Sequence, residues 1–361
     1  MTGADRRFPC DACGSEMRFD PASGDMVCDH CGKHTAIATP PAPAAIRELD
    51  FQAALLSALP LAETEAVRIS HCPNCGADLR LTEAVHAGNC PFCATPFVAG
   101  TGELRQIKPR GLLPFALDEA AARRAMTDWL GRLWFAPGGL QAYARKGRRM
   151  QGVYVPYWTF DAATRSSYRG QRGTIYYVTQ RVIRDGKATN VQVAKVRWTP
   201  VAGRVARFFD DVLVLAANTL PKGLTDGLEP WDLSDLRPYA PEWLSGFGAE
   251  GYQVDLRDGF AEARRRMDAQ IARDVRFDIG GDQQRITSID TDIRDVTFKH
   301  ILLPVWVAAY KYRGQSFRFV VNGQTGRVQG ERPYSTWKIA LAVVAGLILA
   351  AIVGYVYAMN G

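Results

Sequence analysis

The sequence predicts an α+β protein with two small four-cysteine zinc ribbons, a mainly antiparallel body and one C-terminal transmembrane helix. Three observations carry that expectation: a four-cysteine frame that occurs twice, alternating β-branched and aromatic runs in the middle of the chain, and an uncharged apolar run near its end. At 361 residues, 47% hydrophobic and 22% charged, the composition is that of a folded protein and excludes wholesale disorder. A net charge of +7 over this length does not demand nucleic acid as a partner and suits an anionic membrane surface.

The first frame, "CDACGSEMRFDPASGDMVCDHC", sets Cys10, Cys13, Cys28 and Cys31 as two C-x2-C pairs. The second, "CPNCGADLRLTEAVHAGNCPFC", repeats it at an offset of 62 with Cys72, Cys75, Cys90 and Cys93, which accounts for all eight cysteines. Gly14 with Gly76 and Arg18 with Arg80 also superpose, as an internal duplication of one ribbon requires. Thiolates at this spacing converge on a tetrahedral site that selects zinc, with iron as the alternative the residues leave open. Two structural Zn2+ ions are the expected cofactors, because four protein sulfurs leave no coordination position for a reacting water. Gly14, Gly32 and Gly76 are expected where the backbone passes close to sulfur. Such thiolates also need a reducing compartment.

The ribbons are assigned to residues 1–37 and 67–103. Between them, 38–66 reads as a Pro- and Ala-rich linker with a short amphipathic helix carrying Ile46, Leu49, Leu56 and Leu59. As separate modules they predict that Cys72→Ser unfolds its own ribbon and spares the body. His30, His34, His71 and His86 lie in or beside the ribbons and His300 alone in the body; all five read as surface or turn residues rather than ligands.

The body, 104–330, contains a second repeat. "AARRAM" from Ala121 matches "EARRRM" from Glu262, "VPYW" ending at Trp158 matches "LPVW" ending at Trp306, and "YRGQ" recurs at Tyr168 and Tyr312, at offsets of 141, 148 and 144. This predicts an internal duplication of about 112–183 and 252–328, each copy with an edge strand, a helix and a strand carrying Pro-x-Trp. Met126, Trp129, Leu130 and Leu133 form the apolar face of the first helix, and Phe260, Met267, Ile271 and Val275 that of the second. Hairpins are expected around Asp185-Gly186 and Asn322-Gly323.

No Ser/His/Asp set, H-E-x-x-H string or phosphate loop is present, so the chain is not expected to be an enzyme. Tyr154, Tyr157 and Trp158 read as strand core rather than as a substrate groove. Asp210 and Asp211, adjacent on a strand, are expected to face opposite sides and to make no paired-carboxylate site. The basic cluster Arg145, Lys146, Arg148 and Arg149 is read as a contact for anionic lipid, with nucleic acid as the alternative.

From Ile339 to Met359 the chain runs 21 residues without a charge, long enough for a hydrocarbon core of ~30 Å. The membrane helix is assigned to 337–359, a single pass near the C-terminus. Arg327, Arg332 and Lys338 precede it, which keeps the N-terminal body in the cytoplasm. Within it Ala342, Gly346, Ala350, Gly354 and Ala358 recur every fourth residue, a small-residue stripe suited to packing a second copy or a partner helix.

The order of two ribbons, "VYVPYWTFDA", "YRGQRG", "LLPVW", "YKYRGQSFRFVVNGQTGRVQGERP" and a final span resembles a family of bacterial membrane proteins with tandem transcription-factor-IIB-type zinc ribbons. Members of that family carry the label of the primosomal replication-restart helicase (primosomal protein N'), whose nucleotide-binding motifs this sequence lacks. The resemblance implies a membrane-anchored adaptor at the bacterial inner (plasma) membrane, in some bacteria encoded beside phage-shock-type and flotillin-like membrane-scaffold proteins. The expected partners are therefore the membrane and other membrane or scaffold proteins. The alternatives are a nucleic-acid-binding ribbon protein linked to replication restart, without its own ATPase, and an enzyme that uses the body.

Overall fold

The computed structural model of the protein describes residues 8–38, 46–56, 59–81, 87–98, 103–133, 150–184, 187–312, 315–331 and 336–360. Ribbon 1 is a three-stranded antiparallel sheet of β1 (Met17–Asp20), β2 (Asp25–Cys28) and β3 (His34–Thr35). The connection that follows forms β4 (Leu49–Asp50) and α1 (Phe51–Leu55). The expected amphipathic helix is thus one short piece. Asp50 caps it by accepting from Ala53 N, and Leu49 is drawn into a strand, while Leu56 is left exposed.

Ribbon 2 comprises β5 (Thr64–His71), β6 (Asp78–Arg80), β7 (Ala87–Asn89), β8 (Pro96–Val98) and β9 (Glu103–Ile107). It is built into the body: β6 pairs with β5 on one side and with a body strand on the other.

The body runs β10 (Gly111–Leu112), α2 (Glu119–Gly131), β11 (Gln151–Arg184) and β12 (Lys187–Leu215), then a connection with α3 (Lys222–Asp226) and β13 (Arg237–Pro238). It continues as β14 (Gly248–Glu250), α4 (Leu256–Ile279), β15 (Gln283–Tyr312), β16 (Gln315–Asn322) and β17 (Val328–Gly330). The fold is α+β, and among the described residues its sheet is antiparallel except where β10 meets β15 and β14 meets β11.

The order of short strand, helix, long strand and returning strand occurs twice, as β10–α2–β11–β12 and β14–α4–β15–β16. The two long strands lie side by side with Val155 opposite Leu303, the residues that open the "VPYW" and "LPVW" strings. Each unit also lends its short strand to the other's long strand, Gly111 beside Ile301 and Val153 beside Gly248. Equivalent positions that pair with each other are what a local two-fold axis produces.

Both helices bury the faces expected of them, with Met126 and Leu130 inside on α2 and Met267, Ile271 and Val275 on α4. The β11–β12 hairpin closes with Arg184 opposite Lys187, as the Asp185-Gly186 pair predicts. The second turn is longer than two residues. Asn322 Oδ1 accepts from Gln324 N (2.8 Å) and Thr325 N (2.9 Å), and Gly326 sits at φ 76°. The C-terminal helix α5 (Thr336–Asn360) begins six residues after β17 and contains the apolar run Trp337–Met359, which is not buried at all.

Candidate metal centres and the cleft between them

Each C-x2-C pair sits on a tight turn closed by its own backbone. In ribbon 1 Gly14 N donates to Cys10 O (2.8 Å) and Gly32 N to Cys28 O (2.9 Å); in ribbon 2 Gly76 N donates to Cys72 O (2.9 Å) and Ala94 N to Cys90 O (2.8 Å). All four fourth-position residues are left-handed, at φ 75°, 72°, 76° and 58°. This corrects the expected role of the glycines. A Cβ on Gly14 or Gly32 would meet no atom within 4 Å, so what these turns require is the left-handed backbone and not a close approach to sulfur. Ala94 adopts it without glycine's freedom, at a cost of about 1 kcal/mol.

The turns bring Cys10, Cys13, Cys28 and Cys31 together, and likewise Cys72, Cys75, Cys90 and Cys93, with all ligand atoms of each set within 4.8 Å of one another. Sγ–Sγ separations are 3.6 Å for Cys10–Cys31 and Cys72–Cys93, and 3.5 Å for Cys13–Cys28 and Cys75–Cys90. Sulfurs about 2.3 Å from a central ion in a tetrahedron lie roughly 3.8 Å apart, so both sets fit a tetrahedral metal. The eight thiols form no disulfide. Cys13 and Cys31 are exposed, whereas Cys75 and Cys93 are half-covered, leaving the first centre the more open.

Neither ribbon stands alone. Phe19 of β1 packs edge-on against Trp243 at a centroid distance of 4.9 Å, Phe19 N donates to Ser245 O (3.1 Å), and Ser245 Oγ donates to Met17 O (2.7 Å). In ribbon 2 Gly251 N donates to Asp78 O (2.8 Å) and Gln253 Nε2 to Gly76 O (2.6 Å). The buried Arg80 guanidinium reaches Glu65 Oε1 at 2.7 Å and Gln106 Oε1 at 2.9 Å. The two ribbons face one cleft of about 1250 Å³, lined from ribbon 1 by Phe19 and Asp20, from ribbon 2 by Leu81 and Phe97, and from the body by Arg124 and Phe247. The Trp243–Phe247 segment that seats ribbon 1 carries no sequence motif.

The acidic pair is a second correction. A β-bulge between Phe160 and Ala162, with Asp211 at φ 51°, gathers Asp161, Asp210 and Asp211 with their oxygens within 4.8 Å. Lys299 fills the cluster, its Nζ 2.7 Å from Asp211 and 2.9 Å from Glu48. Burial and the neighbouring Glu48 push Asp161 up to about 7, while hydrogen bonds to Asp161, Thr297 and Lys299 hold Glu48 down at about 2 against its own burial. His300 is likewise not on the surface. It is fully buried, Nδ1 shares a 2.8 Å hydrogen bond with Ile107 O, and desolvation drops it to about 3. Burial raises Glu250 to about 8, with Thr219 Oγ1 donating to its carboxyl. Tyr154, Tyr157 and Trp158 are core residues. Arg145, Lys146, Arg148 and Arg149 lie outside the described residues. The stripe from Ala342 to Ala358 is on the surface of α5, and a Cβ on Gly346 or Gly354 would meet nothing within 4 Å.

The chain is 26% identical over 353 residues to YdjG of Bacillus subtilis (strain 168), an uncharacterized protein, and the match covers 95% of each chain. The similarity therefore spans ribbons, body and C-terminal helix together. No family model matches. No solved structure matches either.

Proposed function

We propose that this protein is a membrane-anchored, cytoplasm-facing adaptor of the bacterial plasma membrane, whose two zinc-loaded ribbons frame a docking cleft for another membrane or membrane-scaffold protein. The observation that carries the reading is that residues of both four-cysteine ribbons line one cleft, in a chain that carries an exposed apolar helix long enough to cross a bilayer. All-thiolate tetrahedral sites favour zinc, and with four protein sulfurs bound the ion has no position for a reacting water. Its role here is to fix short turns that could not hold themselves, which presents a rigid surface at little entropic cost to binding. In this reading the body has no catalytic task, and the stripe on α5 pairs two copies or a copy and a partner helix.

The test is affinity purification of the full-length chain from detergent-solubilised membranes, compared with Arg124→Glu combined with Asp128→Arg. Both residues are exposed, line the cleft and make no ion pair among the described residues. A membrane protein recovered with the wild type and lost with the variant, at unchanged zinc content, supports the cleft as the docking site; identical recoveries refute it.

A further inference from the structure

Beyond the ribbons and the anchor, the longest feature of the molecule is unaccounted for. Strand β11 has 34 residues, β12 has 29 and β15 has 30. A sheet this long needs a helix over one face to bury its apolar side, and α4 supplies it: Ile289 and Ile293 pack there, and Tyr168 OH donates to Asp278 Oδ2 at 2.5 Å. Toward the start of β11 the other face is covered by α3 and its flanking segment, with Val153, Val155 and Tyr157 in one cluster with Leu220, Leu224 and Leu228; from Ala163 outward it has no helix among the described residues.

Pairing identifies what that open face carries. Directly opposed residues of antiparallel strands project to the same side, and alternate residues of one strand share it. Arg165 lies opposite Ala206 and Asp292, Ser167 opposite Arg204 and Asp290, Arg169 opposite Ala202 and Ser288, and Gln171 opposite Arg285. Pro200 is the other partner of Gln171, so four arginines meet two aspartates on a floor otherwise built of Ala, Ser, Gln and Pro. Arg165, Arg169 and Arg204 make no ion pair among the described residues, and Arg285 stacks over Trp198 at 3.9 Å. Exposed apolar side chains punctuate the same face, among them Phe208 (63% exposed), Tyr177 (66%) and Ile183 (75%).

The last register of β15 is Gln283 opposite Gly173, so beyond Thr174 the β11–β12 hairpin continues as a two-stranded arm. The described residues of that arm include Arg181, Lys195 and Arg197 and no acid. Ile183, one residue before the end of β11, brings an aliphatic side chain to the tip beside Arg181. Lys195 and Arg197, opposite Tyr176 and Thr174, project to the other side of the arm, so it is Arg181 that shares the face of Tyr177 and Ile183. An aliphatic group beside a cation suits the boundary between lipid headgroups and acyl chains, where the apolar part inserts and the charge stays at the phosphates.

We propose that the open face of the long sheet, together with its arm, is a docking surface for an anionic lipid bilayer. The charge is complementary to such a surface, and an open face that runs from Ala163 to the end of β11 matches a plane better than it matches a compact protein or a nucleic-acid cylinder. Edge-to-edge pairing with a second copy is opposed by Lys195, Arg197, Pro200 and Arg204 along the outer strand β12. The inference rests on α5 being a membrane anchor, which places the bilayer within reach. It adds a geometry. β17 shares the register of Trp306 and Gly152, near the start of β11, so the arm tip lies roughly 100 Å of strand away from the point where the chain leaves for α5. Contact at both ends makes the body lie along the bilayer instead of standing off it.

The test uses the full-length chain in single-copy lipid nanodiscs of phosphatidylcholine, with or without phosphatidylglycerol. The photo-cross-linker p-benzoylphenylalanine is placed at Tyr177, Ile183 or Phe277, the last being 91% exposed on α4 on the covered side of the sheet. Lipid adducts are expected at 177 and 183 in the anionic discs and not at 277. They should fall at least about tenfold in discs lacking phosphatidylglycerol, and equally in a chain carrying Arg165→Glu, Arg169→Glu, Arg204→Glu and Arg285→Glu with unchanged zinc content. Co-elution of chain and disc reports α5 separately: a chain that does not co-elute refutes the anchor. Co-elution without adducts at 177 and 183 overturns this proposal alone. Adducts that are equal at all three positions, or that form on added duplex DNA in place of lipid, overturn it as well.

Discussion

Breaking one cysteine in each ribbon should give unequal outcomes. Because ribbon 2 is part of the main sheet, Cys72→Ser is expected to unfold more than its own module, contrary to what the sequence suggests. Loss of that centre releases β6, which joins β5 to β14, and exposes Leu79. It frees the buried Arg80–Glu65 pair and the two backbone carbonyls, of Gly76 and Asp78, that accept from the body. Together these are worth roughly 7–10 kcal/mol. A whole domain is stable by about 5–15 kcal/mol, so little would remain. Ribbon 1 meets the body mainly through Phe19 on Trp243 and two hydrogen bonds, roughly 3–5 kcal/mol, so Cys13→Ser should lose one metal ion and leave the body folded. The assay is thermal unfolding of the full-length chain in detergent, followed by near-ultraviolet circular dichroism, with zinc counted by mass spectrometry. A Cys72→Ser chain that loses one zinc and melts like the wild type would refute the reasoning.

Four further outcomes follow, three from single residues and one from a pair. Ala94→Gly should raise thermal stability by up to about 1 kcal/mol, since it relieves a left-handed alanine in the fourth knuckle; an unchanged melting temperature would argue against strain there. Gly170→Ala should destabilise by roughly 1–3 kcal/mol in denaturant titration, because its Cβ would lie 2.5 Å from the carbonyl oxygen of Arg285 on the neighbouring strand. Glu250 is raised from 4.5 to about 8 in the folded chain, so its contribution to stability is complete at acid pH and is lost as pH rises through about 8. Glu250→Gln should therefore flatten the fall in stability between pH 5 and 8, by an amount on the order of 4 kcal/mol, read from urea midpoints at each pH. Replacing Gly346 and Gly354 together with Leu should abolish self-association in a membrane two-hybrid assay while leaving the body's melting unchanged, because both positions face open space.

What could be read in advance was what local chemistry dictates. The cysteine frames name their own knuckles, since each pair needs only a five-residue turn. The faces of α2 and α4 follow from helical spacing, and the hairpin at Asp185-Gly186 from turn preference. What could not be read depended on partners distant in sequence. Nothing local to Phe19 announces Trp243, and nothing in Leu79-Arg80 announces Glu250 and Gln106. The acidic pair departs from strand alternation for a related reason. Strand alternation sends Asp210 and Asp211 to opposite sides, and only a bulge, with Asp211 left-handed, brings both toward Asp161. A bulge leaves little trace in a sequence whose alternation continues on either side of it. His300 illustrates the same limit: its imidazole is buried against the carbonyl of Ile107, which takes the Nδ1 proton and is 193 residues away.

The two units of the body show how one arrangement can be divided between two tasks. Both use a short strand, a helix and a long hairpin, and they exchange their short strands around Val155 and Leu303. Their hairpins then diverge. β15–β16 pairs over eight residues before it turns into β17 and the anchor, whereas β11–β12 pairs along nearly all of its length and runs on past the last partner on β15. Because the long strands are antiparallel, lengthening one hairpin and tethering the other drives the arm and the anchor to opposite ends of the same sheet. A compact core would tolerate neither change, since the added strand would bury unpaired backbone. Here the extra length is tolerated because α4 covers one face while the polar, arginine-bearing face needs no cover from protein.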